Sequence, residues 1–457
     1  MSLALHIFRE YDIRGIVGPD LTTSVANNVG RAYGTLLQAS SSEANPDVAV
    51  GHDNRPSSTE LVAALIDGLV STGLNVLDVG TVPTPLVYWT EKTLGLDGGL
   101  MVTGSHNPAE YNGIKMTMSG HSVYGSKIQE IRSLIESESF ATGSGKSTRY
   151  DVLDRYIEDI TGRIQLKRPV RVAVDCGNGA GALVAVRLLE AVGAEVTPLF
   201  CESDGTFPNH HPDPTVDENL VDLVEAVQKG GLELGIGFDG DADRIGAVDD
   251  RGRVVRGDLL LLLFGLDLLE RKGKGQKLVY DVKCSQALDE VFREAGGEPI
   301  MWKTGHSLMK EKMKETGAPL AGELSGHICV GGDDYLGFDD ALYDACKLLD
   351  LVSRWDQSLS EVVDAFPQYV STPEIRIDVP EEVKFPIVEA AVKHFKTLFD
   401  VIDVDGARIQ FGDGWGLIRA SNTQPVLVAR FEARTEERLA EIRAVVEGWL
   451  ADQGIDV

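Results

Sequence analysis

The sequence predicts an α/β protein, with three alternating strand–helix–strand units followed by a smaller α+β module. Three observations carry this. Short apolar runs recur, each followed by a helical pattern and a second apolar run, the arrangement that builds parallel sheets covered by helices. Past residue 373 the pattern changes, and strands cluster with only two flanking helices. The length, 457 residues, corresponds to about three domains or four small ones.

The first segment opens on Phe8-Arg9-Glu10-Tyr11-Asp12-Ile13-Arg14-Gly15, which turns at Gly15 and Gly18-Pro19. Its strand–helix–strand unit is Val48-Ala49-Val50-Gly51, a helix with Ser57 or Ser58 as N-cap, and a strand over 74–79. The second unit runs from a strand over 170–174 through a glycine-rich turn (Gly177, Gly179, Gly181) and a helix to a strand over 195–199. Those glycines invite a dinucleotide-loop reading. However, the next strand ends in Pro198-Leu199-Phe200, with no acidic residue for a ribose, so a tight strand-to-helix turn is the better account. The third unit is a strand over 278–282, a helix over 285–295 and a strand over 299–302. The units share no fixed short period, which excludes a solenoid. The last segment carries strands over 374–379, 408–411, 415–420 and 426–432, with helices over 386–399 and 436–451. Ser/Thr/Gly-rich or Pro-containing stretches at 141–147, 249–252 and 366–373 set expected boundaries of 1–147, 148–252, 253–368 and 369–457.

With 43 basic against 71 acidic residues, the net charge is −28. That balance argues against nucleic acid or an anionic membrane as partner, because basic patches supply most of that affinity. An anionic substrate then needs a locally positive cleft. The five cysteines, Cys176, Cys201, Cys284, Cys329 and Cys346, show no zinc spacing and read as reduced thiols. The N-terminal stretch lacks a signal pattern, and the longest apolar run, 259–269, is interrupted by Gly265 and Asp267 and too short to span a bilayer. A cytoplasmic protein, monomeric or weakly dimeric, is expected.

Four loops carry chemistry. Thr103-Gly104-Ser105-His106-Asn107-Pro108 follows an apolar strand, so Ser105 stands at a sheet edge where a rigid scaffold can hold a nucleophile. A polar turn bonded to its own backbone would look similar. Gly237-Phe238-Asp239-Gly240-Asp241-Ala242-Asp243-Arg244 sets three carboxylates at i, i+2 and i+4 after an apolar run. They converge if the backbone curls, as Gly240 permits, and hard oxygen ligands with open positions suit Mg²⁺. An EF-hand is excluded, since Asp250 holds the twelfth position where a bidentate Glu belongs. Gly322-Glu323-Leu324-Ser325-Gly326-His327 can grip sugar hydroxyls with fixed polar groups. Lys303-Thr304-Gly305-His306 is a weaker loop that reads as a helix start. Finally, Arg419-Ala420-Ser421-Asn422-Thr423-Gln424-Pro425 lies between two strands and can cradle a phosphate.

In this order, these loops resemble those of the α-D-phosphohexomutase superfamily, and the similarity spans essentially the whole chain. The serine and sugar loops look like the bacterial phosphomannomutase/phosphoglucomutase branch. The phosphoglucosamine mutase branch usually has Ala before the serine and Gln between the Glu and Ser of the sugar loop. The resemblance implies four domains around a central cleft, three related α/β domains and a fourth α+β domain. It further implies a phosphoserine at Ser105 that exchanges phosphoryl groups with a mannose or glucose phosphate through a 1,6-bisphosphate, which serves as intermediate and activator. Asp239, Asp241 and Asp243, with Ser105, would hold Mg²⁺. Arg244 and His106 would stand beside the reacting phosphate, while Lys115 and His327 are candidate general acid/base groups. Glu323 and Ser325 would bind the sugar, and Arg419, Ser421, Asn422 and Thr423 the phosphate that is not reacting. Tyr11, Arg14, Lys283, Thr304, Gly305 and His306 match further substrate positions. One departure is Leu259, where many relatives carry Arg; Arg253 or Arg256 stands close by in sequence to compensate. The rival readings are phosphoglucosamine mutase, a Mg²⁺-dependent phosphohydrolase and a sugar-phosphate binding protein without turnover.

Overall fold

A computed structural model describes residues 3–422 and 424–455. The chain divides into two compact units, one comprising residues up to Leu260 with Ser325–Glu361, the other Leu261–Leu324 with the remainder from Val362. Among the described residues no helix is long and apolar enough to cross a membrane.

In the first unit the leading sheet has the strand order Ile13–Ile16, Tyr111–Met118, Gly98–Val102, Asp47–His52, Asn75–Thr81, Ser147–Arg149. Its centre is parallel: Asp47–His52 pairs that way with both Gly98–Val102 and Asn75–Thr81. Asp47–His52 and Gly98–Val102 are buried on both faces, which is why they read as short apolar runs instead of alternating ones. Val48, Val50, Leu100 and Val102 pack against helices Thr23–Ser40 and Ser58–Ser71 in one core. At about 1.5–3 kcal/mol for each such buried aliphatic side chain, this core fixes the register on which the loops depend. Tyr111–Met118 runs antiparallel to both neighbours, pairing Lys115 with Met101 and Gly113 with Arg14.

The second sheet has the order Val254–Val255, Ile245–Asp249, Leu234–Phe238, Arg171–Asp175, Glu195–Leu199. Leu234–Phe238 and Ile245–Asp249 form an antiparallel hairpin, and the three aspartates lie in its connection. The glycine-rich turn is the expected strand-to-helix turn, with Gly177 at φ +50°. In the second unit, Glu298–Trp302, Lys277–Asp281 and Leu320–Gly322 are parallel. The C-terminal sheet is antiparallel through Val370–Ser371, Val426–Ala433, Gly414–Ala420, Ala407–Gln410 and Asp400–Ile402. The apolar run 259–269 belongs to the helix Gly257–Lys272, buried nearly all round as a core helix.

Three local expectations need correction. Helix Ser58–Ser71 has no side-chain cap; Ser57 is already in helical conformation, and Ser58 donates to Asp53 instead. The C-terminal module's first helix is Glu381–Phe395, not 386–399. Pro386 lies inside it, and the start is marked by Pro380 and the first-turn acids Glu381 and Glu382, which favour a helix N-terminus. The loose-looking 141–147 linker is tied down: Gly143 and Gly145 donate to Ser71 and Val70, and Ser147–Arg149 becomes an edge strand.

Candidate active site

Ser105 follows the strand Gly98–Val102, at its carboxyl end, where ligands bind in open α/β sheets. The residue takes φ +52°, a left-handed conformation that a non-glycine residue holds only when its surroundings enforce it. Its amide donates to Thr103 Oγ1 at 2.8 Å. Its hydroxyl lies 3.2 Å from Asp239 Oδ2 and 3.1 Å from His106 Nδ1. A serine hydroxyl has one hydrogen. Given to Asp239, it leaves Oγ to accept from a protonated Nδ1.

The aspartates converge, though by a different device than the sequence indicated. The turn's left-handed residue is Ala242, at φ +56°. Gly240 is needed for proximity, because a Cβ there would collide with the Ser105 carbonyl oxygen. Asp239, Asp241 and Asp243 are fully buried, with ligand oxygens within 4.8 Å of one another. Asp239 Oδ1 accepts the amides of Asp243 and Arg244 at 3.1 and 3.2 Å. Thr84 Oγ1 and Thr103 Oγ1 donate to Asp241 Oδ2 at 2.5 and 3.0 Å. Lys115 Nζ bonds Asp241 Oδ2 at 2.8 Å and also bonds Asp243 Oδ2.

These contacts set the charges. Burial and the two neighbouring carboxylates push Asp239 well up. Burial would raise Asp241 too, but Lys115 and the threonine hydroxyls overcome it and hold the group below the usual range. For Lys115, burial's downward pull is outweighed by Asp241 and Asp243, so the ammonium stays protonated. His106 is driven well down by burial, with Arg244, Arg14, His327 and Lys115 acting the same way. Arg244 Nε donates to His327 Nε2 at 2.9 Å, which puts the ring proton on Nδ1, 3.0 Å from the buried Asp339 Oδ2.

A second group of expected residues gathers in the other unit. Glu323 is buried and accepts the Gly305 amide. Asp281 accepts Thr304 Oγ1 at 2.8 Å and the Leu324 amide at 3.1 Å. Asp405 joins the Thr304 amide at 3.0 Å to Arg419 Nε at 2.9 Å. Lys283 Nζ bonds Glu374 at 2.6 Å. Helix His306–Thr316 starts at His306, whose Nδ1 lies 3.3 Å from Lys310 Nζ. Ser421 Oγ accepts the Gln424 amide, and Asn422 follows in the same loop. Tyr11 and Arg14 belong to the first unit, where Arg14 pairs with Asp12 at 2.5 Å. Ser325 and His327 are also of that unit, and Thr423 lies outside the described residues.

Four domain models of the phosphoglucomutase/phosphomannomutase family match in order: α/β/α domain I over 5–142, domain II over 154–252, domain III over 256–369 and the C-terminal domain over 374–448. The chain belongs to the phosphoglucomutase/phosphomannomutase family. It is 47% identical over 450 residues to a Pseudomonas aeruginosa phosphomannomutase/phosphoglucomutase, covering 98% of this chain and 96% of that one. It is 44% identical to a Neisseria gonorrhoeae phosphoglucomutase, covering 98% of each. The crystal structure of a phosphoglucomutase/phosphomannomutase family protein from Burkholderia thailandensis is similar at TM-score 0.91 and 42% identity, over 98% of both chains.

Within this family member the aspartate loop can hold a divalent cation. Asp241 Oδ1 and Asp243 Oδ1 are buried without a hydrogen-bond partner, a costly state that a cation would relieve. Three hard oxygen donors fit Mg²⁺, which keeps open positions for water or phosphate. Of the two arginines expected to compensate for Leu259, Arg253 bonds Asp249 at 2.8 Å and Arg256 bonds Asp217 at 2.7 Å. Thr84, Asp53, Arg55, Asp339, Asp281, Asp405 and Lys384 escaped the sequence reading. Only Asp53-Asn54-Arg55, an acid–base pair directly after a strand, left a signal that could have been noticed.

Proposed function

We propose that this protein interconverts the 1- and 6-phosphates of glucose and mannose, with Ser105 as the phosphoryl carrier. The observation that carries the reading is the strained Ser105 hydroxyl facing a buried three-carboxylate cluster, in a chain whose relatives are named as mutases. The division into 1–147, 148–252, 253–368 and 369–457 accompanies this reading and is supported by the four family matches.

Phosphoryl transfer depends on positioning and charge neutralisation more than on covalent assistance. In the first half-reaction the phosphoserine Oγ–P bond breaks and an O–P bond forms at the free sugar hydroxyl, giving a 1,6-bisphosphate. In the second, the other phosphoryl group returns to Ser105 Oγ. Lys115, held protonated between Asp241 and Asp243, places a positive charge beside Ser105 and is the first acid/base candidate. His327 is the second acid/base candidate, accepting a proton at Nε2 once the Arg244 bond there opens. His106 stands as a neutral neighbour that fixes the Ser105 hydroxyl. Mg²⁺, when bound by Asp239, Asp241 and Asp243, supplies positive charge against the transferring phosphate. Glu323 and Ser325 bind the sugar, Arg419, Ser421, Asn422 and Thr423 bind the distal phosphate, and Tyr11, Arg14, Lys283, Thr304, Gly305 and His306 complete substrate binding. The substrates are free sugar phosphates, handled by a cytoplasmic monomer or weak dimer that uses neither nucleic acid nor membrane. Glucose 1-phosphate with Mg²⁺ and a trace of glucose 1,6-bisphosphate should yield glucose 6-phosphate. No turnover on either glucose or mannose 1-phosphate would refute the reading.

A further inference from the structure

The group that enforces the strained conformation of Ser105 lies outside every loop described so far. Arg55 follows the strand Asp47–His52 and is 1% exposed. All five of its N–H donors are used. Nε bonds Asp53 Oδ2 at 3.0 Å. One terminal nitrogen donates to the carbonyls of Ser105 and Asn107 at 2.7 and 2.6 Å. The other donates to those of Pro108 and Tyr111 at 2.6 and 3.3 Å. One planar guanidinium thus collects four main-chain carbonyls from both ends of the nucleophile loop, beginning with that of the serine itself.

Asp53, equally buried, completes the clamp. Its Oδ2 takes both Arg55 Nε and the Gly104 amide at 3.1 Å, while Oδ1 takes the Arg55 amide at 3.0 Å and Ser58 Oγ at 2.5 Å. The sheet holds the loop's backbone only at its ends, through the Thr103 amide to Gly113 and the Val17 amide to Glu110; between them its backbone bonds are local turns, Asn107 to Gly104 and Tyr111 to Pro108. The Phe207 ring lies against the guanidinium, 4.9 Å from its carbon to the ring centroid, and so restricts its plane. A lysine has three donors and no plane, so it cannot reproduce this fork.

We propose that Arg55, held by Asp53, is a positioning residue that sets the direction of Ser105 Oγ for in-line phosphoryl transfer. The inference rests on Ser105 as the phosphoryl carrier. A group of this kind acts on the chemical step and not on sugar-phosphate affinity, because it touches the nucleophile's backbone and no substrate. Misplacement of a reacting group by about 1 Å costs on the order of 100-fold in rate.

The test compares wild type with Arg55→Lys and Asp53→Asn in steady-state turnover of glucose 1-phosphate. It adds melting temperatures and ³¹P NMR of enzyme phosphorylated by glucose 1,6-bisphosphate. Arg55→Lys should lose about 100-fold in kcat with KM changed less than threefold. Its phosphoserine resonance should broaden or move toward that of free phosphoserine. Asp53→Asn, the milder change and the deciding one if Arg55→Lys does not fold, should lose about tenfold in kcat, in keeping with orienting partners one shell removed. A folded variant with kcat within threefold of wild type, or a loss confined to KM, overturns the inference while leaving the mutase reading intact. An inactive wild type overturns that reading, and this inference with it.

Discussion

The Ser105 loop of the first unit and the Ser421 loop of the second, proposed above as nucleophile and phosphate loops, are both tied down by a buried cation that donates to main-chain carbonyls, but the cations differ. Beneath Ser105 it is Arg55, with five donors, four loop carbonyls and a buried carboxylate partner. Beneath Ser421 it is Lys384, which reaches the carbonyls of Ser421 and Gln424 at 2.7 and 3.1 Å and pairs with Glu381, an exposed partner. A planar fork fixes orientation, whereas an ammonium on a flexible stem fixes only approximate position. A nucleophile must be aimed within tenths of an ångström, while a bound phosphate mainly needs charge and donors nearby. Each loop therefore carries the stiffness its task demands.

The largest break in this comparison is Ser105→Ala, which should lower turnover at least about 10⁴-fold, as deletion of a nucleophile does; a rate near wild type would move the phosphoryl carrier elsewhere. Next comes Thr84→Val. It removes a hydroxyl that orients the Asp241 carboxylate, so apparent Mg²⁺ affinity in activity titrations should fall about 10- to 100-fold. Lys384→Met sharpens the contrast directly. KM for the sugar phosphate should rise about tenfold with kcat nearly unchanged, at about 1–3 kcal/mol of stability lost to two unpaired carbonyls. A kcat effect as large as that at Arg55 would erase the distinction between the two braces.

The smallest effects are on stability, and the two units should differ in sign. Glu374, held at about 2 by Lys283 against an ordinary 4.5, contributes stability fully present above pH 4.5 and lost as pH falls through about 2. Relative to Glu374→Gln, wild type should gain about 2–3 kcal/mol between pH 2 and 5, less than the shift implies because the carboxylate keeps some solvent. Asp340 is the opposite case. Burial lifts it to about 6 despite hydrogen bonds from Tyr335, Tyr156 and the Leu342 and Tyr343 amides. Its folded value exceeds its ordinary 3.8, so stability falls as pH rises from about 4 to 6. Thermal melts of Asp340→Asn should show wild type losing about 2–3 kcal/mol relative to the variant across that window.

The sheets were legible because the buried strands carry short apolar runs, those over 48–50, 100–102 and 172–174 among them, closed by glycine or a polar turn. Helix Glu381–Phe395 was misplaced because Pro386 looks like a first-turn proline, while the true entry at Pro380 is marked only by acids. The serine loop, the aspartates and the Ser421 loop stood out in the sequence because each gathers several functional groups within a few positions, and the structure brings Ser105 and the aspartates together. Arg55 and Lys384 were missed, since a side chain that serves backbone carbonyls 37 to 56 positions away leaves no spacing to detect, the pair of Asp53 and Arg55 after a strand being the one trace. Asp339 likewise acts on His327 only across a hairpin, where sequence separation is uninformative.

Gly240 has a wider consequence. With no room for a side chain between it and the Ser105 carbonyl, the carboxylate loop and the serine loop meet peptide against peptide. The gap between nucleophile and carboxylates is thus a gauge cut into the main chain. Replacing side chains elsewhere around the sugar can retune which hexose is preferred without recalibrating that gauge, so substrate choice can drift over evolutionary time while the transfer chemistry stays in adjustment.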